Sequence, residues 1–131
     1  MAEQLPADLD VVHSFDVLLK NGSSPLMRKP DAVVASAQAF QGEVTRFSAG
    51  DVALVVEILP EESEDIDLRV KLREYAAAGI PNCWTVALDG PPSLVAYSIA
   101  DGRYEIAATG TRMINVMIPS PMKLNLNELI R

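Results

Sequence analysis

The segment from Val52 to Leu59 reads Val-Ala-Leu-Val-Val-Glu-Ile-Leu, an almost unbroken apolar run with several β-branched residues. Such a run predicts a β-strand covered on both faces. Glu57 alone breaks it. An ionised carboxylate in a central strand is costly unless it is paired, protonated or bound to a cation. The simplest functional reading is that Glu57 points from the strand into a site and holds a metal ion.

Downstream come an acidic turn, a helical run from about Asp65 to Ala78, Gly79, and a second apolar strand from Ile80 to Leu88. Ile66, Val70 and the Leu72/Tyr75/Ala76 group give the helix an apolar stripe. Ser63 or Asp65 can cap its start, where carboxylates suit the positive end of the helix. Gly79 is a natural residue just past the last turn, and Pro81 prevents continuation. Strand, helix and strand of this size predict a βαβ crossover, hence two roughly parallel strands.

The flanking segments read as further strands. Val11 to Lys20 alternates around His13, Phe15 and Val17 and ends in Asn21-Gly22, a strong turn signal. The next strand starts at Leu26 and continues through Ala35, with Pro30 at its beginning or at a bulge. Gln38 to Ala49 reads as a loop, with a turn of helix around Ala37 to Phe40. Ser93–Ile99 and Arg103–Thr109 flank Ala100-Asp101-Gly102 as an antiparallel hairpin. Thr111 to Ile118 adds a short strand, Pro119 and Pro121 form a rigid connection, and Asn125 to Arg131 forms a short helix capped by Asn125 or Asn127. The class is α/β, with one domain over residues 1–131.

Composition narrows the function. No apolar run approaches the roughly 18 residues that span a bilayer, and the N-terminus lacks a basic segment followed by an apolar one. Cys83 is the only cysteine, which rules out an internal disulfide and argues against a zinc cluster. These features predict a cytoplasmic protein. The net charge of −7 and a pI near 4.6 argue against a dedicated nucleic-acid coat, which needs a basic surface. They leave room for a nuclease, because metal-binding carboxylates are acidic and the ion reverses the local potential.

Three ionisable positions stand out. Asp31 follows a proline at a strand start, Glu57 lies in the core strand, and Lys71 lies on the helix with Asp67 one turn before it. If the two strands are neighbours, Asp31 and Glu57 can converge on one cation. Two carboxylates plus waters and a phosphate oxygen are a normal shell for magnesium. Such an ion can polarise a phosphodiester and lower the pKa of an attacking water. A lysine ammonium nearby can orient that water or offset charge in the transition state.

Pro30-Asp31, Val55-Val-Glu57-Ile-Leu and Asp67-x-x-x-Lys71-x-x-x-Tyr75-x-x-x-Gly79-Ile-Pro-x-x-Trp84, in this order, resemble the Uma-two family within the PD-(D/E)XK nuclease superfamily. The Asp101-Gly102-Arg103-Tyr104 hairpin and the closing Leu124-x-Leu-x-x-Leu-Ile pattern fit as well. The resemblance runs from about Val11 to Arg131. It implies a restriction-endonuclease-like mixed sheet and a DNA endonuclease using Mg2+ or Mn2+. In it Asp31 and Glu57 match the metal-binding carboxylates, and Lys71 matches a lysine moved from the strand onto the helix, since Leu59 holds the usual lysine position. The chain departs at Leu59-Pro60-Glu61-Glu62-Ser63, where Ser-Pro-Ser is common, and it starts without the family's N-terminal helical region.

Plainer roles stand beside these. Glu57 can be a strand carboxylate paired with Lys71 or an arginine, Asp31 a turn residue after proline, and Lys71 with Asp67 a solvated pair. Cys83 reads as an inert core thiol, His13 as structural, and Tyr75 and Trp84 as packing groups. Two functions therefore follow: a metal-dependent endonuclease acting on DNA, or an inactive relative that serves as a binding or assembly module, as a homodimer.

Overall fold

A computed structural model gives the fold and describes residues 4–20, 22–59, 65–117 and 121–126. The strands are β1 (Leu9–His13), β2 (Val17–Lys20), β3 (Leu26–Arg28), β4 (Ala32–Ser36), β5 (Phe47–Ser48), β6 (Val52–Leu59), β7 (Asn82–Ala87), β8 (Ser93–Ala100), β9 (Arg103–Thr111), β10 (Met113–Val116) and β11 (Met122–Asn125). Helix α1 (Asp65–Ala77) lies between β6 and β7 in sequence. Eight strands form one sheet in the order β1-β4-β6-β7-β8-β9-β10-β11, and β3-β2-β5 form a smaller one.

The βαβ crossover is present. Strands β6 and β7 run parallel, with Val55 opposite Cys83 and Glu57 opposite Thr85. Every other pairing in the large sheet is antiparallel, including the β8–β9 and β10–β11 hairpins. A parallel pair needs a long connection, and α1 supplies it.

Alternation along the strands sorts the apolar side chains onto two faces. Val34, Leu54, Val56, Trp84 and Val86 belong to one core. Val33, Val55 and Cys83 belong to the other. The first core is completed by the sheet's own far end, through Ile114, Val116, Met122, Leu124 and Leu126. The second is completed by Tyr75 of α1, by Ile80, and by Val17 and Phe47 of the small sheet. Strands β4, β6 and β7 are thus covered on both sides, which is why they read as continuous apolar runs.

The two edges of the large sheet are drawn together by one side chain. Gln4 Nε2 donates to the Lys123 carbonyl, and the Lys123 N–H donates to Gln4 Oε1, both at 3.0 Å. A side-chain amide here stands in for a strand neighbour on β11. Leu5, Leu9 and Val11 follow it onto the first core.

Helix α1 ends as its sequence requires. Gly79 has φ +81°, its N–H donates to the Ala76 carbonyl, and the Ile80 N–H donates to the Tyr75 carbonyl. This pair of bonds closes the last turn on a left-handed residue, a conformation that favours glycine. Among the expected caps, Ser63 lies outside the described residues, and Asp65 is the first residue of the helix itself.

Several expectations are corrected. The run from Val11 to Lys20 is not one strand. Ser14 takes φ +50°, and β1 and β2 on either side join different sheets. The partner run breaks at the same level, between β3 and β4, around Pro30 and Asp31. The Ser14 N–H donates to the Asp31 carbonyl at 2.9 Å across the joint. The expected hairpin therefore exists, bent so that β2–β3 peel away while β1–β4 stay in the main sheet. The Gln38–Ala49 loop carries the helical turn Ala37–Phe40, and also β5, which pairs in parallel with β2. Strand β11 begins right after Pro121, and Asn125 is its last residue. Asn127 and most of the expected terminal helix lie outside the described residues. Among the described residues, no helix is long and apolar enough to cross a membrane.

Gly110 marks the tightest corner. A Cβ there would lie 2.8 Å from Ile114 Cβ and 3.0 Å from the Met113 carbonyl. Both contacts are below van der Waals distance, and one is backbone. Gly110→Ala is expected to destabilise the protein by about 1–3 kcal/mol through overpacking. Thermal or urea unfolding checks this. A variant as stable as the parent would show that β9 and β10 are free to separate.

Candidate active site

The site grows out of the β4–β6–β7 register. Ala32 of β4 lies opposite Val56 of β6, so Asp31, one step earlier, falls opposite Glu57. Both residues share the face that carries Val33 and Val55, the face beneath α1. Asp31 Oδ2 accepts the Ile58 N–H at 2.7 Å, which fixes its carboxylate at the end of the ladder. Its other oxygen has no hydrogen-bond partner among the described residues.

Glu57 is buried, with 6% of its surface exposed. Its two oxygens are treated differently. Oε1 accepts the Tyr75 hydroxyl at 2.5 Å, a short charge-assisted bond. Oε2 faces the Lys71 ammonium at 3.7 Å, and Lys71 in turn lies 3.6 Å from Asp67 Oδ2. Asp67, Lys71 and Tyr75 are spaced four residues apart and so rise along one flank of α1. The helix carries a cation and a hydroxyl donor to one strand carboxylate. Arg28 of β3 steadies this helix: its Nε donates to Glu74 Oε1 at 2.9 Å, and a second guanidinium N–H reaches the same oxygen.

Burial pushes the Glu57 pKa above its ordinary value; the Tyr75 hydroxyl and Lys71 pull it back down, and the Asp31 charge pushes it up. Desolvation wins this contest, so the fold accommodates the anion at a cost. The Tyr75 hydroxyl is held above its ordinary pKa by burial and by Glu57, so it stays a donor. Burial likewise raises the Cys83 thiol, in line with an inert core residue.

The structure thus brings Asp31, Glu57 and Lys71 into one place. It also adds Tyr75, which sequence reading assigned to packing. Only the four-residue spacing from Lys71 hinted that its hydroxyl shares the flank. Among the described residues no group of three or more His, Cys, Asp or Glu could hold a metal. The available donors are two carboxylates, hard oxygen ligands of the kind magnesium and manganese accept alongside waters. Among the described residues, the Asp31 oxygen without a hydrogen-bond partner and the Glu57 oxygen facing the Lys71 ammonium suit such a cation.

The sign of the pH dependence follows from the raised pKa. Stability from Glu57 is fully present below its unfolded pKa and is lost as pH rises through the folded value. Glu57→Gln keeps the shape and removes the buried charge. It should melt higher than the parent at about pH 8, with the gap closing towards about pH 4. Tyr75→Phe removes the donor that favours the anion. It should cost about 1.5–3 kcal/mol near neutral pH and less in acid. Melting curves across pH test both, and a Tyr75→Phe cost that grows in acid would reverse the assignment.

Comparison with known proteins agrees with this architecture. Among solved structures, the chain is similar to a putative nuclease belonging to DUF820 from Anabaena variabilis ATCC 29413. The TM-score is 0.62 at 13% identity, covering 86% of this chain and 60% of that one. At such identity the likeness shows the fold, a nuclease fold with a mixed sheet. The chain spans 60% of the length of that relative. No curated protein matches the chain. A family model, Uma2, described as putative restriction endonuclease, matches residues 4–127. The chain belongs to the Uma2 family.

Proposed function

We propose that the chain hydrolyses DNA phosphodiester bonds with the help of a divalent cation, Mg2+ or Mn2+. The observation that carries this reading is the buried Glu57 carboxylate, which shares its face with Asp31 and lies beside a lysine ammonium. Family membership supports it.

Asp31 and Glu57 would hold the ion, which when bound supplies a polarised phosphate and a more acidic water. Asp31 is held for this role by the Ile58 N–H, and Glu57 by Tyr75. Lys71 stands where its ammonium can orient the attacking water or offset charge on the phosphate oxygens. Tyr75 is a positioning residue: it keeps Glu57 Oε1 occupied and leaves Oε2 turned towards Lys71. An ion bound here would also relieve the cost of the buried anion.

A second reading is an assembly module that does not cut, working as a homodimer. Ile106, Met113 and Met117 on and beside β9 and β10 are 63%, 46% and 70% exposed, and apolar side chains there would be covered if this end of the sheet met a second copy.

Supercoiled plasmid incubated with manganese decides between them. The parent should nick DNA, and Glu57→Ala should lose at least about a hundredfold in rate, as expected when an electrostatic contributor is removed. Manganese should raise the melting temperature of the parent, as any ligand of the native state does, and leave Glu57→Ala unmoved. Equal nicking by parent and variant would remove the nuclease reading.

A further inference from the structure

Away from the flank that faces Glu57, α1 carries a second feature. At about 100° per residue, Arg69 and Arg73 lie roughly 160° around the helix from Lys71. With Leu72 they line an open cavity of about 420 Å3, bordered on the other side by Tyr97, Arg103 and Tyr104 of the β8–β9 hairpin. The volume is in the range of small-ligand sites.

Three observations make this cavity unlike an ordinary surface dent. First, three of the chain's eleven cationic side chains gather around it, in a protein with eighteen acidic residues. Second, among the described residues none of the three arginines is ion-paired, while Arg28 and Lys71 on neighbouring surfaces both have carboxylate partners. Arg69 and Arg73 are like charges one turn apart, an unfavourable helix pairing, and Arg103 lines the same cavity. An anion between them would relieve that pairing. Third, Tyr104 is fixed from below and packs beside Tyr97. The Tyr104 hydroxyl donates to the Ile80 carbonyl at 2.8 Å, and its ring lies 6.2 Å from that of Tyr97. Both rings are packed against the second core and line the cavity, so little ordering is left to do.

Guanidinium forks match phosphate oxygens two at a time, and aromatic faces carry nucleobases without regard to sequence. A bare inorganic anion would leave the tyrosines and most of the volume unused. We propose that this cavity binds a phosphorylated nucleotide, with Arg69, Arg73 and Arg103 on the phosphate and Tyr97 and Tyr104 beside the base. The ligand can be a free mononucleotide or one nucleotide of a longer strand. The proposal does not rest on the cleavage reading, since it uses none of the groups around Glu57.

Calorimetric titration with 2′-deoxyadenosine 5′-monophosphate in EDTA tests it without any contribution from a bound cation. A single saturable site is expected. Deoxyadenosine, which lacks the phosphate, should bind at least about tenfold more weakly, a difference of about 1.4 kcal/mol. The double variant Arg73→Ala/Arg103→Ala should lose a similar factor for the monophosphate, and Arg46→Ala, outside the cavity, should not. Arg103→Glu alone, on the exposed hairpin, should repeat the loss. Fluorescence anisotropy of a single strand of about twelve nucleotides separates the sources. Strand affinity that falls in the double variant assigns the cavity to a nucleotide within a strand. Strand affinity that holds while the monophosphate is lost assigns it to a free nucleotide. If neither probe distinguishes parent from double variant, the proposal is wrong. Plasmid nicking is scored separately, so failure of one reading leaves the other standing.

Discussion

Glu57 projects from β6 into a space that water barely reaches, and much of the surrounding structure deals with its charge. A buried carboxylate without partners would cost several kcal/mol. The chain supplies a hydroxyl from one turn of α1 and an ammonium from the turn before. Those two groups reach the strand only because the helix is pinned over the parallel pair. The pinning is done by the glycine-terminated last turn and by Arg28 on Glu74. Removal of the helix would strand the charge, and removal of the charge would leave the helix donors without purpose. Asp31 works the other way, since its negative charge raises the cost of ionising Glu57. Two anions placed side by side on a sheet that already disfavours one is an arrangement a cation would stabilise.

Helix α1 therefore has two flanks that face different surroundings. Asp67, Lys71 and Tyr75 attend to the acidic strand face, while Arg69 and Arg73 border the cavity at the β8–β9 hairpin. In a chain with net charge −7, the overall sign says little about either flank. Local grouping decides what each can meet.

The parts of the fold that could be read from sequence are those where a strong local pattern meets a strong tertiary demand. Strand β6 spans the same residues as its apolar run because both of its faces are buried. Helix α1 matches because Gly79 and Pro81 punctuate it. The β8–β9 hairpin matches because Asp101 and Gly102 both take positive φ. The strand run from Val11 to Lys20 misled because alternation continues smoothly through Ser14, while the backbone turns there and sends the two halves to different sheets. Strand β5 is two residues long and has no period to detect. At the site, Glu57 was conspicuous as a charge in an apolar run. The reach of Tyr75 was not, because an aromatic residue on a helix stripe looks the same whether its hydroxyl is used or idle.

The amide bridge between Gln4 and Lys123 joins residues 119 positions apart. Together with the first core, which mixes Leu9 and Val11 with Met122 and Leu124, it makes β1 and β11 mutually dependent. Contacts of such high sequence separation slow folding, because loop closure precedes any reward. Strand β1 can pair early with β4, but the first-core face of β4 and β6 stays uncovered until Ile114, Val116, Met122 and Leu124 pack on it. The interval of greatest exposure is the one before β10 and β11 dock, when the apolar face of β4 and β6 is open to misassembly.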